Sequence, residues 1–170
     1  MIGITEKHLE ELFESIDDKT TVLVFGDHGL TEDGNHGGET PLEMASAFFA
    51  YQKTPFPMYE SYLRNKDLYA EMDSSVKLGD VAAITTALMN QMFPFSNMGK
   101  MHPLLMNTGD IKEVHAKFLA NIKQMDDYLV EYCRVTDMMW CPEEIKTLNS
   151  AYNKFASFDV SRASEREITE

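Results

Sequence analysis

Leu9, Leu12, Phe13 and Ile16 recur at the i, i+3, i+4, i+7 spacing of one helical face. Glu6, Lys7, Glu10, Glu11 and Glu14 fill the other side, so residues 5–17 predict an amphipathic helix with Thr5 as its N-cap. After Asp17-Asp18-Lys19 the helical period stops. Residues 20–25, Thr-Thr-Val-Leu-Val-Phe, form a continuous β-branched and aromatic run. A short run without polar alternation suits a strand covered on both faces. Helix, turn and buried strand together make half of an α/β unit. Residues 26–40 are polar and punctuated by glycine, Pro41 to Met44 suit a single helical turn, and residues 46–51 read as a second buried strand.

Residues 52–75 carry Pro55 and Pro57 and read as a surface excursion. A helix follows over residues 80–91, capped by Asp80, with Val81, Ile84, Thr85 and Leu88 on one face. Residues 93–99 end it. Asp110 opens a long helix, with Glu113 placed for a capping box. Its apolar seam is Ile111, Val114, Phe118, Ile122, Met125, Leu129 and Tyr132. Pro142 starts another helix carrying Ile145, Leu148, Tyr152 and Phe155, and the two predict a helical hairpin. The last ten residues, 161–170, form a polar tail.

Composition narrows the class. In 170 residues, 44% hydrophobic and 11% aromatic content is enough for a packed core and unlike a disordered chain. Fifteen Lys and Arg against 28 Asp and Glu give a net charge of −13, which argues against nucleic acid as a partner and against a polybasic membrane patch. No apolar run approaches the roughly 18–20 residues that cross a bilayer, and residues 1–7 lack signal-peptide order. Cys133 and Cys141 would lie roughly 12 Å apart on one continuous helix, too far for a bridge. A break at Pro142 leaves the pairing open. The 12 methionines, Met89, Met92, Met98 and Met101 among them, read as core filler. His8, His102 and His115 read as structural or solvated.

The chemistry concentrates in residues 26–40. Asp27 and His28 follow the first strand, and His36 comes eight residues later. A carboxylate and two imidazoles suit zinc or another borderline divalent ion. Gly26, Gly29, Gly34, Gly37 and Gly38 let the backbone turn around them. An isolated Asp-His-Gly is most often a solvated turn. The preceding strand and the second histidine in a glycine bed favour ligation. Asp33 and Glu39 are placed to orient His36.

The string Phe-Gly-Asp-His-Gly-Leu-Thr-Glu-Asp-Gly-Asn-His-Gly-Gly-Glu-Thr over residues 25–40 resembles the second metal-binding segment of the alkaline phosphatase superfamily. Within it, the resemblance is to the glycosylphosphatidylinositol (GPI) ethanolamine phosphate transferases, and most to those adding the third ethanolamine phosphate. Residues 43–51 resemble the family's strand leading to Leu-Phe-x-Tyr. Residues 76–85 sit where the family has a helix, Pro94-Phe95-Ser96-Asn97-Met98-Gly99 resembles its Pro-Phe-x-Asn-x-Gly, and residues 124–133 resemble a Gln-x-x-x-Tyr-Leu stretch. The resemblance spans residues 4–135.

It implies an α/β fold: a partial alkaline-phosphatase-like sandwich, mainly parallel sheet with helices on its faces, plus the C-terminal helical hairpin. Residues 1–108 would be the C-terminal half of a catalytic domain, 109–160 the hairpin or stalk, and 161–170 the tail. Two zinc ions are implied, with Asp27 and His28 on one and His36 on the second or on the transferred phosphate. The family's threonine nucleophile lies well before the Asp-His-Gly loop, and no residue here takes that role. Thr20, Thr21, Thr31 and Thr40 all lack its context. The implied reaction is transfer of phosphoethanolamine from phosphatidylethanolamine to a mannose of the GPI precursor glycolipid. The implied setting is the lumenal side of the endoplasmic reticulum membrane, with room for a membrane-embedded partner subunit. A phosphodiesterase or sulfatase-like hydrolase, and an inactive remnant acting as a binding module, are the alternatives.

Overall fold

The computed structural model describes residues 2–64, 75–136 and 141–159. Its elements are helix α1 (Ile2–Ser15), strand β1 (Val22–Phe25), the single turn α2 (Pro41–Met44), strand β2 (Phe48–Tyr51), helices α3 (Pro57–Arg64) and α4 (Asp80–Leu88), a 3-10 turn (Pro103–Leu105), and helices α5 (Ile111–Thr136) and α6 (Cys141–Ala156). They form two compact units, Met1–Pro55 and Phe56–Glu170. Residues 65–74, 137–140 and 160–170, which include the whole of the expected polar tail, lie outside the described residues.

In the first unit α1 starts at Ile2, which puts Thr5 inside the helix instead of at its cap. Both expected strands form, but they pair antiparallel, with Val22 opposite Tyr51 and Val24 opposite Phe49. A parallel sandwich is therefore absent among the described residues. The reason is the connection: a parallel pair needs a crossover element, and only the four-residue α2 lies between these strands. The strands are not covered on both faces either. Phe13 of α1 packs on Tyr51 and Phe49, with ring centroids 4.4 and 5.8 Å apart, while Phe25 and Phe49 each keep 46% exposure.

The second unit holds the larger core. Ala83, Ile84 and Ala87 of α4 are buried with Met101, Leu104, Met106 and Val114, and Leu88, Phe93 and Phe118 pack against this cluster. Residues 57–64, expected as surface, form α3, and Phe56 just before it and Met58 within it are buried: Pro57 starts a helix there, where its missing N–H costs nothing. Helix α4 stops at Leu88, short of Gln91. Asn90 turns left-handed (φ 52°), and the amides of Asn90 and Gln91 bond back to the carbonyls of Ala87 (3.3 Å) and Thr86 (3.0 Å). The methionines divide. Met58, Met101 and Met106 are core, but Met89, Met92 and Met98 face solvent because the chain leaves the helix just before them.

Asp110 caps α5 as expected, accepting the Lys112 amide at 2.9 Å. Glu113 does not close the capping box. It turns along the helix to Lys117 at 2.9 Å, and that bond, followed by one from Thr108, holds its carboxyl below the ordinary glutamate range. The polar side of α5 is partly buried and bonds loop backbone. Lys117 donates to Ala87 O, and Asn121 accepts the Met101 amide (3.0 Å) while donating to Gly99 O (3.2 Å). Gln124 donates to the carbonyls of Phe95 and Asn97, joining two of the stretches that carried the family resemblance.

The helical hairpin is present. Near its turn Cys133 and Cys141 are disulfide-bonded, with Cα atoms 5.6 Å apart, which is feasible because one lies at the end of α5 and the other opens α6. At the far end His115 Nε2 bonds Phe155 O at 2.9 Å, and its ring stacks on the Phe155 ring. His102 is buried too, so neither of these histidines is solvated.

Candidate metal-binding loop

Strand β1 delivers the loop. The Gly26 amide bonds Ala47 O at 3.1 Å, one step beyond the β1–β2 ladder, so Asp27 and His28 emerge directly from the sheet. Asp27 Oδ1 accepts the His28 amide at 3.0 Å. His28 Nδ1 lies 2.9 Å from Gly29 O, a carbonyl that can only accept. The bond therefore places a proton on Nδ1, and in the neutral ring the lone pair then lies on Nε2. That is the tautomer a metal-ligating histidine adopts when its other ring nitrogen is tied to backbone.

Asp27 Oδ2 stands 3.6 Å from this Nε2, and both side chains are exposed. Two ligands of one tetrahedral zinc, with bonds of about 2.0–2.1 Å, lie roughly 3.4 Å apart. Asp27 and His28 thus fit a single ion with little adjustment.

His36 arrives by a tight turn. The Gly34 amide bonds Thr31 O (2.9 Å), the Thr31 amide bonds Asn35 O (3.0 Å), and Gly34 has φ 82°. This is the three-residue hairpin connection with a left-handed glycine. It returns His36 to stack on His28, rings 4.8 Å apart and 3° from parallel. Nitrogen lone pairs lie in the ring plane, so parallel stacked rings aim side by side and do not converge on one centre. No group of three or more His, Cys, Asp or Glu placed to hold one ion occurs among the described residues. The donor set fits a divalent metal in its chemistry, as a pair plus a neighbour.

The other expected participants stand apart. Asp33 sits in the Thr31–Gly34 turn, and neither it nor Glu39 hydrogen-bonds His36 among the described residues. All four threonine hydroxyls are engaged: Thr20 with Asp17, Thr21 with Gln52, Thr31 with Asn35 and Thr40 with Glu43.

Glu43 was missed by the sequence reading as part of this loop. Its carboxylate accepts the Gly38 amide at 3.0 Å and the Thr40 hydroxyl at 2.6 Å. These bonds, the Thr40 hydroxyl first, hold its carboxyl below the ordinary glutamate range. The signal was present as Thr40-Pro41-Leu42-Glu43, a capping-box spacing immediately after the loop.

Curated proteins similar to this chain are transferases. At 25–34% identity, and together over most of the chain, its homologues are GPI ethanolamine phosphate transferases, the type 3 enzyme included. GPI ethanolamine phosphate transferase 3 of Saccharomyces cerevisiae is 34% identical over 96 residues, covering 55% of this chain and 9% of that protein. The Homo sapiens GPI ethanolamine phosphate transferase 3, catalytic subunit, is 28% identical over 153 residues, covering 86% of this chain and 13% of that protein. GPI ethanolamine phosphate transferase 1 of S. cerevisiae is 25% identical over 163 residues, covering 89% and 18%. The chain therefore spans less than a fifth of the length of these relatives. No family model matches it, and no solved structure does.

Proposed function

We propose that this chain carries a metal-binding loop of a GPI ethanolamine phosphate transferase, which moves phosphoethanolamine from phosphatidylethanolamine to a mannose of the GPI precursor. The carrying observation is the Asp27–His28 pair, with Oδ2 3.6 Å from Nε2, the ring nitrogen not taken up by the Gly29 carbonyl. His36, parallel to His28, is suited to a neighbouring second ion or to the transferred phosphate. A bound pair of divalent ions supplies charge stabilisation of phosphoryl oxygens during in-line displacement. Asp27 and His28 hold one side of that site, the Gly29 carbonyl fixes the His28 tautomer, and the glycine turns bring His36 to it.

The proposed setting is the lumenal face of the endoplasmic reticulum membrane. The Cys133–Cys141 disulfide supports it, since such bonds persist in oxidising compartments. Among the described residues no helix is long and apolar enough to cross a membrane. The human relative's name, a catalytic subunit, supports a partner.

Calorimetric titration with zinc tests the reading. With one carboxylate–imidazole pair and a separate imidazole, the chain binds zinc weakly, and Asp27→Ala or His28→Ala removes the binding. Tight uptake of two ions per chain, or binding that survives both substitutions, contradicts it.

A further inference from the structure

Glu43 is the only buried residue among the described side chains of the first unit, at 8% exposure. An ionised side chain in that position needs partners, and its partners lie on both limbs of the histidine loop. Its backbone carbonyl accepts the amide of Gly29, the residue after His28, at 2.8 Å. Its carboxylate accepts the amide of Gly38, two residues past His36, at 3.0 Å, and the hydroxyl and amide of Thr40 at 2.6 and 3.4 Å. Gly29 is sterically required because backbone faces it, whereas a side chain at Gly38 would displace the Glu43 carboxylate itself. A methyl group at Gly29 would fall 2.0 Å from Leu42 O, and one at Gly38 would fall 2.5 Å from Glu43 Oε2.

We propose that Glu43 is a positioning residue of the loop: one side chain and its own carbonyl clamp both limbs and thereby set the stacked spacing of His28 and His36. The use of that spacing for metal rests on the function proposed above; the spacing itself does not. A carboxylate is needed because three donors converge on two oxygens. Glutamine offers one oxygen and turns an NH2 towards the Thr40 donors. Aspartate is shorter by about 1.5 Å and cannot reach both Gly38 and Thr40.

The test is proton and nitrogen NMR on the full metal-free chain with chelator present. In the wild type the His28 and His36 rings show mutual nuclear Overhauser contacts and ring-shifted resonances. Glu43→Gln loses those contacts, and both rings move to the shifts of free histidine, while the Val24–Phe49 cross-strand contacts persist. Thr40→Ser changes nothing. A wild type without ring contacts, or a Glu43→Gln chain that keeps them, overturns the proposal. If Glu43→Gln also melts the β1–β2 pairing, Thr40→Ala decides. Weakened ring contacts over an intact sheet support the clamp, and unchanged contacts overturn it. Zinc is absent throughout, so failure here leaves the metal reading standing. Failure of zinc to bind the wild type leaves the clamp standing.

Discussion

Asn121 gives the sharpest test of how the second unit is held together. It is 1% exposed, and its amide serves both the Met101 N–H and the Gly99 carbonyl. Asn121→Leu keeps the four-atom branched side chain but removes both bonds. Two buried backbone groups are left unpaired at about 1–3 kcal/mol each. Burying leucine returns about 1.5–3 kcal/mol, so the net loss is about 2 kcal/mol. The assay is hydrogen exchange at the Ala87 amide, which shares the core without bonding Asn121; it exchanges roughly 30-fold faster in the variant. Asn121→Asp adds a pH signature. Its carboxylate still accepts from Met101 but faces the Gly99 carbonyl, so its pKa is raised in the folded state. The protonated acid can donate to Gly99, so the variant approaches wild-type stability at low pH. It loses stability as pH rises from the ordinary aspartate value through the folded pKa. An Asn121→Leu chain exchanging at the wild-type rate, or an Asp variant indifferent to pH, refutes the argument.

Asp80 makes a parallel case: 5% exposed, its carboxylate accepts the amides of Lys77 (3.0 Å) and Lys100 (2.8 Å). Asp80→Ala costs about 2–4 kcal/mol in urea unfolding of the second unit. Reducing Cys133–Cys141 reopens a short loop and costs the hairpin about 2–3 kcal/mol on the chain-entropy account. Urea melts with and without reductant measure this, and a Cys133→Ser, Cys141→Ser chain should match the reduced protein. The Glu43 carboxyl is held low, so its stabilisation is full above the ordinary glutamate value and fades as pH falls below it. The Gly38 amide resonance, followed from pH 6 to pH 3, should move with that titration.

Much of the element order was legible from periodicity: α1, the two strands, the α2 turn, α4 and the helical hairpin all fall where the spacing placed them. Strand direction was not, because two short apolar runs carry no information about pairing sense. Helix α3 was hidden by Pro55 and Pro57, which read as breakers although Pro57 serves as a helix start. The sequence reading of α5 stopped at its apolar seam. Lys117 and Asn121 are buried only because the carbonyls of Ala87 and Gly99 meet them, a tertiary fact that no heptad count reveals. In the candidate site, the sequence singled out Asp27, His28 and His36, and the structure brings all three onto one loop end. It did not single out Glu43, since a capping-box glutamate is ordinarily a local helix signal. Here the same spacing also ties a loop closed.

The central claim is that Asp27, His28 and His36 receive divalent metal. Zinc titration followed on the ring resonances of all five histidines tests it directly. The account predicts that His28 responds first, His36 next, and His8, His102 and His115 not at all. A response centred on any of the last three, or none at His28 at millimolar zinc, would contradict it.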